Sequence, residues 1–281
     1  MLSQRVQQTL ARRLVILAAV CLIVMPATAC ASRRSEASGL VIAGSTSIQP
    51  FAELLAEQFA KRFPTEPPIN VQGGGSTAGI EAVLTHAADV GMSSRRLKEA
   101  EVASGLLVEP IAYDAIAIVV HPSNALRHLT SDQVRGIFAG TIRSWAEVGG
   151  QDRPIVVVTR EEGSGTRGAF EEMLMEGERI TDLALRQDSN GAVRVIVSGD
   201  PTAIGYMSLG IVGGVVQVVA LDGVEPTVSA ALEGTYRLVR PFLFVFSAAP
   251  SGESRRFLDY CLSAEGQETL GHEGLIPVAG A

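Results

Sequence analysis

The sequence predicts an α/β protein, and three observations carry that reading. A unit of short apolar strand, glycine–hydroxyl turn and amphipathic helix recurs along the chain. There are 29 glycines against only 5% aromatic residues, which favours a glycine-punctuated α/β chain over an aromatic-rich reader of sugars or nucleic acid. Hydrophobic residues make up 47% and charged residues 19%, which excludes an intrinsically disordered chain. A length of 281 residues suits one large domain or two linked lobes. The formal charge of −7 excludes nucleic acid as a partner, because phosphate-backbone binding needs clustered positive charge.

The elements follow in chain order. Leu40 to Ala43 reads as a buried parallel strand, and Gly44-Ser45-Thr46-Ser47 as the turn after it. Pro50 suits a first helical turn; Phe51, Leu54, Leu55 and Phe59 form one apolar face, and Pro64 stops the helix. The second unit runs from Ile69-Asn70-Val71 through Gly73-Gly74-Gly75-Ser76-Thr77 to a helix marked by Ile80, Val83 and Leu84. Asp89 to Met92 is a short strand ending in Ser93-Ser94-Arg95. Ile111 to His121 is an apolar strand interrupted by Asp114. The third full unit is the strand Ile155 to Val158, the turn Arg160 to Thr166, and a helix marked by Phe170, Met173 and Leu174. A single helix is expected around Ser254 to Leu270, with Phe257, Leu258, Cys261 and Leu262 in the core.

The N-terminus reads as an address. Arg5, Arg12 and Arg13 precede the apolar run Leu14 to Met25, too short to span a bilayer but suited to a signal-peptide core. Ala27-Thr28-Ala29-Cys30 resembles a bacterial lipobox. Residues 1–29 are therefore expected to be a removed signal peptide, with Cys30 lipidated and residues 30–39 a polar tether; ordinary secretory cleavage near Ala29 is the alternative. Loss of the three arginines takes the formal charge from −7 to −10. Cys21 leaves with the signal and Cys261 stands alone as a core residue, so no disulfide forms within the mature chain if Cys30 is acylated.

Four turns combining glycine or serine donors with strand ends exceed what fold punctuation needs. Helix N-termini present unpaired N–H groups, glycine admits an anion close to the backbone, and hydroxyls add donors. Together they point to an oxyanion site, with Arg160 able to grip two oxygens at once. Competing chemistries fail on the same residues. No turn has the lysine of a P-loop, and Glu162 stands where a hydrolase elbow needs glycine before Ser164. His86, His121, His128 and His272 show no metal spacing; His86 and His128 read as helix-surface residues. Trp145 reads as a packing residue, and Glu161 and Glu162 are expected to face solvent or pair with arginines.

The segments GSTSIQPF, QGGGSTAGIEAV, ADVGMSSR, YDAIAIVVHP, FAGTIRSWAEVGG, REEGSGTRGAF, TAIGYMSLG and LSAEGQETLGHEGLIP resemble the phosphate-binding lipoproteins that serve the high-affinity phosphate ABC transporter, over roughly residues 40 to 279. The resemblance implies a type II periplasmic-binding-protein fold, two α/β lobes around a ligand cleft, with no cofactor, no metal and no catalysis. It places residues 40–117 plus 239–281 in the first lobe and 118–238 in the second, joined by crossing strands at Asp114 to Val120 and Leu238 to Phe246. Carried over by position, the phosphate-binding residues are Ser45, Thr46, Ser47, Ser76, Arg160, Ser164, Gly165 and Thr166. Where some members end the fourth turn with an aspartate that accepts the ligand's proton, this chain has Ser94 followed by Arg95; both are expected to contact the phosphate, and Asp114 is the candidate acid. The implied partners are inorganic phosphate and the permease subunits, with membrane contact through the lipid anchor alone, at the outer face of the bacterial cytoplasmic membrane or in the periplasm, as a monomer. Tungstate, molybdate or sulfate binding, or hydrolysis of phosphate esters through Ser47 or Ser164, are the rival functions.

Overall fold

A computed structural model describes residues 39–278. The expected signal peptide, Cys30 and the tether up to Ser38 lie outside the described residues, as do residues 279–281.

The first half opens with β1 (Val41–Gly44), α1 (Gln49–Arg62), β2 (Asn70–Gly73), α2 (Ser76–Leu84) and β3 (Val90–Ser93). β1 pairs in parallel with both β2 and β3. α1 carries Pro50 in its first turn and Lys61 and Arg62 in its last, where cations suit the negative end of the helix dipole. It buries Phe51, Leu55 and Phe59, and ends before Phe63 and Pro64. A short α3 (Glu99–Ala103) leads to β4 (Leu107–Val120), 14 residues long and about 45 Å from end to end at ~3.3 Å per residue.

β4 spans two hydrophobic cores. Ile111 and Ala112 pack with Ile42, Phe51, Phe242, Phe244 and Phe257 in the first. Ala115, Ile116, Ile118 and Val120 pack with Phe138, Trp145, Phe170 and Tyr206 in the second. Ala117 and Val119, on the opposite face, pack with Val158, Val193 and Met207. The strand is buried on both faces along its C-terminal half, so it reads as a continuous apolar run rather than an alternating one.

The second half contains β5 (His128–Leu129), α4 (Ser131–Ala139), β6 (Val156–Arg160), α5 (Gly165–Phe170), β7 (Leu185–Gln187), α6 (Asn190–Gly199), β8 (Ala203–Ser208), β9 (Gln217–Leu221) and α7 (Val228–Leu232). β10 (Val239–Phe246) then returns and pairs antiparallel with β4 from Val239↔Ala115 to Phe246↔Leu107. The strand order is β2-β1-β3-β10-β4-β8-β6-β7, and β9 pairs with β4 and β5. Trp145 lies in the second core, its indole N–H donating to the Thr202 carbonyl at 3.0 Å.

Two expectations need correction. The C-terminal segment is two helices, α8 (Gly252–Cys261) and α9 (Ala264–His272), not one. Ser263 breaks it by accepting the Gly266 N–H on its side chain at 3.2 Å, and Gly266 backs so closely on α8 that a Cβ there would fall 2.3 Å from the Tyr260 carbonyl. His128 lies on the strand β5, not on a helix, and His86 lies just past α2 in a left-handed turn with φ 57°.

Candidate functional site

Three turns of the first half meet through their hydroxyls. Gly44 leaves β1 at φ 139°, and a Cβ there would fall 2.4 Å from the Met92 carbonyl, so only glycine lets β1 and β3 close at this point. The Ser45 hydroxyl donates to Ser94 Oγ at 2.8 Å and accepts the Ser47 N–H at 3.2 Å. Ser76 accepts the Ser94 N–H at 3.1 Å. Ser45, Ser47, Ser76 and Ser94 are all buried.

The second half brings the Arg160–Thr166 turn against them. Ser47 Oγ lies 2.8 Å from Thr166 Oγ1, and the Thr77 N–H donates to the Gly163 carbonyl at 3.1 Å. A Cβ on Gly165 would fall 2.1 Å from Ser76 Oγ and 2.6 Å from Ser94 Oγ, so the approach of the two halves depends on this glycine. The Ser164 side chain caps α5 by accepting the Arg167 N–H at 3.3 Å.

Arg160, at the end of β6, is 1% exposed. Nη2 donates to Thr46 Oγ1 (3.2 Å), the Asp188 carbonyl (2.8 Å) and Glu161 (3.0 Å); Nε donates to the Gln187 carbonyl (3.1 Å). Nη1 is buried without a hydrogen-bond partner among the described residues. A buried, charged donor in that state is destabilising by at least about 1–3 kcal/mol, so an incoming acceptor is strongly favoured there. Glu161 pairs with Arg160, while Glu162 is exposed.

Arg95 points elsewhere. Its two terminal nitrogens donate to the two Glu101 oxygens at 2.7 Å each, and Nη2 also reaches Thr77 Oγ1 at 3.3 Å. Burial alone would raise the Glu101 carboxyl, but Arg95 and the Lys98 N–H outweigh it and hold the group below its ordinary value.

Asp114 is buried at the base of the site, directly across the ladder from Arg240. Arg240 donates to Asp114 Oδ2 through Nε (3.0 Å) and Nη2 (2.9 Å), and Ser208 Oγ donates to Asp114 Oδ1 at 2.9 Å. Burial raises the Asp114 carboxyl and lowers the Arg240 guanidinium, and their contact opposes both shifts. Arg240 also reaches the Ser94 carbonyl (3.3 Å) and Ser47 Oγ (3.2 Å), and Asn190 Nδ2 donates to Ser47 Oγ at 2.8 Å. Arg240, Asn190 and Ser208 were not foreseen. The only signal for Arg240 was a charge in an otherwise apolar strand, the same signal that singled out Asp114.

Cys261 is a free, buried thiol that burial pushes up from its ordinary range. Among the described residues, no group of three or more His, Cys, Asp or Glu side chains is placed to hold a metal ion, and no helix is long and apolar enough to cross a membrane.

The PBP superfamily domain matches residues 29–265. The phosphate-binding protein PstS of Bacillus subtilis (strain 168) is 31% identical over 253 residues, covering 88% of this chain and 84% of that protein. A solved structure from Clostridium perfringens, assigned as a phosphate ABC transporter substrate-binding protein and containing bound phosphate, is 40% identical with a TM-score of 0.83, covering 86% of this chain and 100% of that one. An ABC-type phosphate transport receptor from Vibrio cholerae is 34% identical with a TM-score of 0.71, covering 84% and 99%. Sequence and fold thus place the chain in the PBP superfamily, with a mixed α/β architecture built on one curled sheet. Within that class the chain belongs to the family of the phosphate-binding proteins PstS.

Proposed function

We propose that this protein captures inorganic phosphate between its two halves outside the cytoplasm and delivers it to the permease of an ABC transporter. One observation carries the reading: a fully buried guanidinium, Arg160, with an unpartnered Nη1, where hydroxyl-bearing turns from both halves converge. Around it Ser45, Thr46, Ser47, Ser76, Ser94, Ser164, Gly165 and Thr166 supply hydroxyl and backbone donors to a tetrahedral oxyanion. Asp114 acts at the base of the site, where it neutralises Arg240, and Arg95 acts from outside through Thr77.

The lobe boundaries belong to the same proposal: residues 40–117 with 239–281, and 118–238. The change of core between Ala112 and Ala115 on β4, and between Leu238 and Phe242 across the start of β10, supports them. We further propose that Cys30 carries the membrane anchor and that the protein works as a monomer. Binding without turnover fits the surroundings of the two candidate nucleophiles. Ser47 is bonded to Thr166, Asn190 and Arg240, and Ser164 to the Arg167 N–H; none of these is a general base.

Parallel calorimetric titration with phosphate, sulfate and tungstate tests the proposal, together with an aryl-phosphate turnover assay. One phosphate per chain, bound more tightly than either rival, is expected, with no aryl alcohol released. Tighter binding of sulfate or tungstate would replace the ligand, and catalytic release of the alcohol would replace the function.

A further inference from the structure

A serine hydroxyl has one proton to give and two lone pairs to fill. At Ser47 two neighbours can only donate. Arg240 Nη2 lies 3.2 Å from Ser47 Oγ, and a guanidinium has no acceptor. Asn190 Nδ2 lies 2.8 Å away on another side. The orientation of that amide is set independently. The Ser208 backbone N–H, itself a pure donor, lies 3.2 Å from the other terminal atom of Asn190, which must therefore be the carbonyl oxygen. Both lone pairs of Ser47 are filled, and its proton is left for the remaining contact, toward Thr166 Oγ1 at 2.8 Å.

Solvent offers no alternative partner, since Ser47, Thr166 and Asn190 are each 1% exposed and Arg240 2%. The donors are themselves held in a closed ring. Ser47 receives from Arg240, Arg240 is clamped by Asp114, Asp114 receives from Ser208 Oγ, and the Ser208 N–H holds Asn190, which returns to Ser47. The ring draws on the first turn, both long strands, the end of β8 and the start of α6.

We infer that Asn190 and Arg240 are positioning residues that hold the Ser47 hydroxyl as an obligate donor into the ligand site, so that the ligand atom bound there must offer a lone pair. This rests on the phosphate reading and adds the polarity of one contact to it. An amide or ammonium N–H in the same place would set two donors against each other.

A double-mutant cycle tests the inference, with phosphate affinity measured by calorimetry for the parent, Asn190→Ala, Ser47→Ala and the double variant. Asn190→Ala is expected to weaken binding about tenfold in the parent, the value of one polar contact. In the Ser47→Ala background the same change is expected to matter less than about twofold, because its route of action is gone. An equal loss in both backgrounds, or no loss in the parent, overturns the inference. A second measurement needs neither ligand nor variant. Neutron diffraction of the parent is expected to place the Ser47 hydroxyl deuterium toward Thr166 or a bound anion; finding it directed at Asn190 or Arg240 overturns the inference. Failure of the phosphate reading shows separately, as a parent that does not bind phosphate.

Discussion

Arg160 is a full positive charge with one face committed to the protein and one nitrogen uncommitted. Replacing it with alanine leaves a desolvated anion facing neutral donors, and phosphate binding is expected to weaken by about 2–5 kcal/mol. Arg160→Lys is expected to lose much of the same, because one ammonium cannot meet Thr46, Glu161 and the carbonyls of Gln187 and Asp188 while also gripping a ligand. Calorimetry at fixed ionic strength checks both; near-parental affinity for Arg160→Ala would move the electrostatic role to Arg240. At this scale the sequence was informative where turn chemistry is local. Ser45, Ser76, Ser94 and Arg160 stand beside glycines or at strand ends, and all are buried, the serines against one another and Arg160 against Thr46. Asn190 and Ser208 carry no such mark. They begin a helix and end a strand as polar residues ordinarily do, and only tertiary packing brings them to Ser47 and Asp114.

Among the elements, β4 and β10 hold a charge pair in a wall of apolar side chains. Breaking a buried pair from one side strands the other charge. Asp114→Asn or Arg240→Met alone is therefore expected to reduce stability by about 3–5 kcal/mol. The combined change Asp114→Leu with Arg240→Met is expected to recover most of that loss, since well-packed apolar residues replace buried pairs at little cost. Urea midpoints at constant slope are the measure, and a double variant no better than the singles would show that Ser208 and Ser94, not the partner charge, set the cost. The strand–turn–helix units were legible because glycine punctuates them and their helices are amphipathic. β8 was not, because all six of its residues are buried and such a run has no period to read. The break at Ser263 escaped for the opposite reason: the apolar spacing carries straight through it, and a single side-chain cap decides the geometry.

For the molecule as a whole, the proposed two-lobed arrangement, with donors contributed by both halves, means that a bound anion favours the state in which the halves touch. Phosphate is expected to lower the radius of gyration in small-angle scattering; an unchanged value with phosphate bound would remove hinge closure. The proposed anchor at Cys30 is separate in sequence from the site residues. Cys30→Ser is expected to leave the membrane fraction and bind phosphate with parental affinity, and an unmodified Cys30 in protein from the native host would end the anchoring proposal.

The place of β10 in the sheet also dictates an order of events during synthesis. It lies between β3 and β4, yet it is the last strand of the chain, and Phe242, Phe244 and Phe257 complete the core begun by Ile42 and Phe51. A growing polypeptide therefore emerges with β1 to β4 first but cannot finish that half until the whole of the second half has followed. The first-made part is the last to mature. Contacts this distant along the chain are slow to form, so closing the first core waits on a strand more than 150 residues beyond β1, and truncation before β10 is expected to leave that core unformed, as hydrogen exchange at β1 and β3 would show.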